Sequence, residues 1–166
     1  MKPIIETDRC DLTNLHADDE EPFVQLHVDE DVRRYLGGAK DEATTRSGFI
    51  GLVEAKPESS FWAVRLKEDG AFIGIISLGA HHDGFDTEIS YQFLPWFWGQ
   101  GYATETVKAV VDYAFENLKL QRVIAETQTA NRASCRLLER TGLRLERTVI
   151  RFGAEQAIYV ISDMPE

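Results

Sequence analysis

From Phe61 onward the chain reads first in twos and then in three-and-a-halves. Phe61-Trp62-Ala63-Val64-Arg65-Leu66 alternates into Lys67-Glu68-Asp69-Gly70, a turn signal, and Ala71 to Leu78 resumes the alternation. Thr87 to Leu94 alternates again, so these segments are predicted as the strands of an antiparallel meander. Ala103, Val107, Val110, Val111, Ala114 and Leu118 then fall at helical steps, with Glu105, Lys108, Asp112 and Glu116 on the other face. Arg122 to Thr127 reads as the next strand. A helical crossover separates it from its predecessor, which predicts a parallel pair. Asn131 to Thr141 is predicted as a short helix, with Asn131 as its cap and Gly142 at its stop. Arg144 to Arg151 and Ala157 to Ile161 form a closing hairpin around Phe152-Gly153-Ala154-Glu155.

The chain before Phe61 is mostly helical in pattern. Arg9 to Leu15 alternates weakly, as a first strand. Asp18-Asp19-Glu20-Glu21-Pro22 opens a helix bearing Phe23, Leu26 and His27. Asp29-Glu30-Asp31 opens another, bearing Val32, Tyr35 and Leu36 and stopped by Gly37-Gly38. From Asp41 to Lys56 a third places Phe49, Ile50, Leu52 and Val53 on one face before Pro57. The acidic runs read as solvated helix starts. No repeat or linker divides the 166 residues, so one domain of mixed α and β structure is expected over 1–166.

Composition narrows the partners. The formal net charge is −10, which disfavours nucleic acid, since phosphate contacts need a basic face. A cationic amine or peptide would be drawn in, although such a charge also serves solubility alone. No apolar run approaches the roughly 20 residues that span a bilayer, so no membrane association is expected. Cys10 and Cys135 form no disulfide framework and suggest a reducing cytoplasm. Adjacent His81 and His82, in a Gly/Asp-rich turn, read as exposed loop residues; no metal is expected.

The junction Trp98-Gly99-Gln100-Gly101-Tyr102-Ala103-Thr104-Glu105 is where strand becomes helix. Its glycines permit a sharp turn and leave amides bare at a helix start, a natural seat for phosphate. It is neither a Rossmann fingerprint, since Thr104 fills the third glycine slot, nor a P-loop, since no Gly-Lys-Ser/Thr triplet follows. An ordinary tight turn fits the spacing equally well.

Taken together, the element order and two motifs resemble the Gcn5-related N-acetyltransferase (GNAT) superfamily, over nearly the whole chain. The motifs are Pro95 to Glu105, and Asn131-Arg132-Ala133-Ser134 followed by Leu137-Leu138-Glu139-Arg140-Thr141-Gly142-Leu143. Within the superfamily the chain is most similar to the ribosomal-protein-alanine acetyltransferase (RimJ/RimL-like) branch, which commonly has an aromatic where Trp98 departs from the Gln/Arg-x-x-Gly-x-Gly/Ala pattern. The resemblance implies an α+β GNAT fold: a central, mostly antiparallel sheet, one parallel βαβ pair carrying the cofactor loop, and helices on both faces. It also implies acetyl-CoA as co-substrate. Trp98, Gly99, Gln100, Gly101, Tyr102, Ala103 and Thr104 would form the pyrophosphate loop. Gln92 and Phe93 would pair with pantetheine, Asn131 would bond to it, and Ser134 would lie near the thioester sulfur.

Acetyl transfer to an amine requires a base, because amines are protonated near neutral pH. Glu88 is the candidate: on an ideal strand it shares a face with Ser90 and Gln92, just upstream of the loop. A solvated strand end or an ion-pair partner is the alternative. Glu126 is the reserve. Ser134 is the candidate for aiding thiolate protonation, or simply caps its helix. Cys135 reads as a packed thiol. The acceptor is expected to be a small amine or a protein N-terminus, and a homodimer is left open. The other readings are an acyl-CoA-binding regulatory domain without catalysis, and an interaction domain anchored by Trp96, Phe97 and Trp98.

Overall fold

A computed structural model describes residues 3–54 and 60–163. The chain forms two compact units, one of residues up to Ser77 with Tyr91–Tyr102, the other of Leu78–Ser90 with the chain from Ala103 onward.

In the first unit, β1 (Ile5–Glu6), β2 (Cys10–Thr13), β3 (Phe61–Leu66) and the part of β4 (Phe72–Ala80) up to Ser77 pair antiparallel in sequence order. β1 is too short to show an alternation and escaped the sequence pattern; the Ile4 amide secures its start on the Leu12 carbonyl at 2.8 Å. Helices α1 (Glu20–Val28), α2 (Glu30–Arg33) and α3 (Glu42–Glu54) begin about where predicted; α2 ends at Arg33, short of the expected Tyr35 and Leu36 and of the Gly37-Gly38 stop, while the expected end of α3 at Lys56 and the Pro57 stop lie outside the described residues. Leu15, Phe23, Leu26, Phe49, Ala63, Phe72, Ile75 and Leu94 make the core of this unit.

Two expectations are corrected here. Ile50 and Leu52 are exposed, at 57% and 37%. Helix α3 meets α1 along one narrow stripe, Thr45, Phe49 and Val53 at four-residue steps, and Ile50 lies about 100° round the axis from Phe49. Asp19 is not a solvated helix-start carboxylate. It is buried, with its oxygens 2.7 and 2.6 Å from the Arg65 guanidinium nitrogens, because the strand-borne arginine needs a paired counter-charge there.

In the second unit, the start of β5 (Thr87–Phe93), up to Ser90, runs parallel to β6 (Arg122–Gln128), with Glu88 opposite Ile124. They are linked through α4 (Tyr102–Glu116), whose Val107, Val110, Val111 and Ala114 are buried; Leu118 lies past its end and is exposed. β6 then pairs antiparallel with β8 (Ala154–Ser162), and β8 with β7 (Arg144–Arg151); α5 (Arg132–Arg140) precedes them. The closing turn is tighter than its sequence suggests. Phe152 and Gly153 both have positive φ, 54° and 75°, so two residues reverse the chain and Ala154 and Glu155 join the strand. No helix among the described residues is long and apolar enough to cross a membrane.

Candidate active site

The glycine junction is built by local fastening. After β5, the Leu94 amide bonds to the Ile73 carbonyl at 2.9 Å, and a single 3-10 turn follows over Pro95–Phe97. The Trp98 indole turns back and donates to the Phe93 carbonyl at 2.8 Å, so the aromatic at this position ties the loop to the strand end. Gly99 and Gly101 sit at φ 75° and 85°, in the left-handed region that favours glycine. Helix α4 starts directly afterwards, with its first amides unpaired by the helix and its dipole positive at that end.

Arg9, which the sequence reading did not single out, belongs to this junction. Its guanidinium donates to the Gln100 carbonyl at 2.9 Å and lies 4.3 Å above the Tyr102 ring. A Cβ added to Gly101 would come 3.2 Å from its Nη2. In a chain of net charge −10, this places a cation beside a helix N-terminus. Only a separation of 91 residues hid it. Gly74 was missed for a similar reason: a Cβ there would meet the Gln92 carbonyl oxygen at 2.4 Å and the Phe93 ring at 2.8 Å. The backbone of β4 therefore lies against the end of β5, where Phe93 is buried and the Gln92 side-chain oxygen is buried without a hydrogen-bond partner.

In the second unit, Ala103 and Thr104 form the first turn of α4, and Arg140 from the last turn of α5 reaches the Thr104 hydroxyl at 3.4 Å. Asn131 caps α5, its side-chain oxygen accepting from the Ser134 amide at 3.2 Å. The capping role expected as an alternative is thus present for Asn131, and its side-chain NH2 remains a donor. Cys135 is half-buried in α5, its thiol 3.9 Å from the Gln128 carbonyl. Tyr159 approaches the same helix from β8 and donates to Glu139 at 3.0 Å; burial raises its pKa and makes it a weaker acid.

Glu88 is half-buried opposite Ile124. Burial raises its carboxyl pKa, the nearby His81 charge opposes, Glu126 adds to the rise, and a hydrogen bond from the Glu126 amide opposes again. The neighbouring histidine corrects the sequence reading. His81 is 1% exposed, not an exposed loop residue; only His82 is exposed. The turn after β4 folds inward, with the His81 amide on the Asp86 carbonyl, and brings the ring between Asp83 at 2.9 Å and Glu126 at 2.8 Å. Asp83 is held down to about 2, chiefly by the Phe85 amide and then by His81. His81, His82 and Glu126 bring ligand-type atoms within 4.8 Å of one another. Arg151, however, is hydrogen-bonded to the His82 ring and lies 3.5 Å from Glu126, so a guanidinium already takes the cation's place. The cluster is an ion-pair network.

The left-handed glycines, Arg9 on the loop and the buried, unpartnered side-chain oxygen of Gln92 suit a phosphorylated, amide-bearing ligand such as acetyl-CoA. Comparison with known proteins identifies the family. The family model "Acetyltransferase (GNAT) domain" matches residues 9–144. An uncharacterized N-acetyltransferase of Bacillus subtilis, YoaA, is 32% identical over 154 residues, covering 88% of this chain and 85% of its own. A GNAT-family acetyltransferase structure from Bacillus anthracis superposes with TM-score 0.83 at 25% identity, covering 95% of this chain and 97% of that one. The spermidine N-acetyltransferase of Vibrio cholerae, solved with CoA and spermine, shares the fold at TM-score 0.78 and 15% identity, over 92% and 95% of the two chains. The chain therefore belongs to the GNAT family of N-acetyltransferases, with a mostly antiparallel sheet and one parallel pair, β5 with β6.

Proposed function

We propose that the chain transfers the acetyl group of acetyl-CoA to a small cationic primary amine, by direct attack with both substrates bound. The observation that carries this reading is Glu88, a half-buried carboxylate of raised basicity on the strand that leads into the glycine junction. Acetyl-CoA supplies an acetyl group activated as a thioester. The amides from Gly99 to Thr104 hold its pyrophosphate, with Trp98 bracing the loop and Arg9 adding charge. The backbone of Gln92 and Phe93 pairs with pantetheine, and Asn131 bonds to it. Glu88 takes the ammonium proton, directly or through water, and Ser134 hydrogen-bonds the departing thiolate. Positioning does the rest, without a covalent enzyme intermediate. Trp98 at the first loop position supports a place near the ribosomal-protein-alanine branch.

For the acceptor, a cavity of about 500 Å³ is lined by Gln25, Val28, Asp29, Glu30, Asp31, Leu94 and Trp96. Apolar walls with three carboxylates suit an amine carrying further positive charge.

Thermal unfolding tests the cofactor. Acetyl-CoA at about 100 times its Kd adds roughly 2.7 kcal/mol, a rise of about 5–10 °C for a chain of this size. No rise at saturation overturns the reading. CoA release across a panel of polyamines, small amines and N-terminal peptides then identifies the acceptor; a preference for neutral amines would refute the cationic assignment. Replacing Arg9 by Ala should weaken acetyl-CoA binding about tenfold in calorimetry while leaving pantetheine binding unchanged.

A further inference from the structure

The ion-pair network around His81 lies outside the roles assigned so far, although its charges act on the proposed base. Both ring nitrogens of His81 face carboxylate oxygens, Nε2 on Glu126 at 2.8 Å and Nδ1 on Asp83 at 2.9 Å. A neutral imidazole donates through one nitrogen only and would turn a lone pair toward the second carboxylate. The Asp83 amide also approaches Nδ1, but at 3.4 Å, so the shorter carboxylate contact decides in favour of a ring protonated on both sides. Burial works against that charge, and the hydrogen bonds to Asp83 and Glu126 outweigh it, leaving the ring more basic than an ordinary histidine.

The surroundings explain why a charge is needed. Glu88 and Glu126 lie on adjacent strands on one face of the sheet, since Glu88 is opposite Ile124 and Glu126 is two residues further along. Two carboxylates this close disfavour each other's ionisation, and Asp83 adds a third. Of the other charged groups around the ring, Arg151 reaches Glu126 at 3.5 Å and Arg147 reaches Asp83 at 3.9 Å, both from β7. His82 sits beside Glu126 at 3.8 Å and is engaged by Arg151. Asp86 and Glu146 are neutralised by Arg122, at 2.7 and 2.9 Å. Among these groups His81 is the buried one that can carry positive charge.

We propose that His81 is a positioning residue for acetyl transfer: clamped between Asp83 and Glu126, its imidazolium keeps Glu88 ionised beside a second carboxylate and so keeps it available as the base. This rests on the reading of Glu88 as the base. His81 touches neither substrate; it acts through Glu88 and through the carboxylate of Glu126, whose amide bonds Glu88.

The test is the pH profile of kcat/KM for wild type, His81→Gln, His81→Lys and Glu88→Gln, with one acceptor amine throughout so that its own titration is common to all. In His81→Gln the acid limb should move up by about one pH unit, so activity near the limb falls about tenfold and recovers at higher pH. Acetyl-CoA affinity should be unchanged, and His81→Lys, which restores charge without the ring, should return the limb toward wild type. An equal loss at every pH, or no loss, overturns the proposal and leaves a purely structural clamp. Imidazole nitrogen shifts of the wild type supply a measurement that needs no variant: a doubly protonated His81 ring at pH 7 supports the proposal, and a neutral ring overturns it. If Glu88→Gln turns over normally, the base reading fails and the proposal with it. If Glu88→Gln is slow and the His81→Gln limb stays put, only the proposal fails.

Discussion

Replacing Glu88 by Gln is expected to lower kcat about 100- to 1000-fold while acetyl-CoA binds as tightly as before. General bases contribute roughly 10²- to 10⁴-fold, and water at the site supplies part of that when the carboxylate is gone. Gln keeps the size of the side chain and still accepts from the Glu126 amide, so the change removes a proton acceptor and little else. The pH dependence carries the sign. Burial first, then Glu126 and Asp83, raise the carboxyl above its ordinary value near 4.3, so wild-type activity falls as pH drops through that raised value. The Gln variant loses this limb. A carboxyl with a raised folded-state pKa works against folding once ionised, so the variant's Tm at neutral pH should not fall. Steady-state kinetics, calorimetry with acetyl-CoA and a melting curve together separate a lost base from a damaged fold. An unchanged kcat would transfer the role to Glu126 or to water alone.

Gly74→Ala should be the most disruptive single-methyl change in the first unit. The added carbon would stand 2.4 Å from the Gln92 carbonyl oxygen and 2.8 Å from the Phe93 ring, distances that force backbone to move. Overpacking of this kind costs about 1–3 kcal/mol, or roughly 3–10 °C of Tm. The displaced backbone is that of Gln92 and Phe93, the residues assigned to pantetheine, so acetyl-CoA affinity should fall as well. Gly79→Ala on the same strand is the control, since a Cβ there meets nothing within 4 Å. Equal melting temperatures and equal affinities for the two variants would remove Gly74 from the site.

Much of this molecule is local, and local features are legible in sequence. Helix α4 follows from the spacing of Val107, Val110, Val111 and Ala114, because the periodicity of a helix and the face it buries are the same information. The parallel pairing of β5 and β6 follows from a helical crossover, which leaves little other choice. The glycine junction was readable too: Gly99 and Gly101 take backbone conformations that most side chains disfavour.

Pattern failed where a residue's environment is made by distant chain. Ile50 looks as apolar as Phe49, but only the stripe of α3 facing α1 is covered. His81 and His82 are neighbours in a polar turn, and nothing local says that one ring will be buried between Asp83 and Glu126. Arg9 meets the loop across 91 residues, and Gly74 is constrained by the carbonyl of Gln92 on another strand. Most of the elements, the glycine turn and the family can be read from the residues in order, since these depend on the periods and backbone preferences of contiguous residues; β1, two residues long, cannot. Which charges are buried together, which cation lies on the loop and which glycine cannot carry a methyl group are visible in the folded chain alone, because desolvation, ion pairing and close packing arise between segments far apart in the chain.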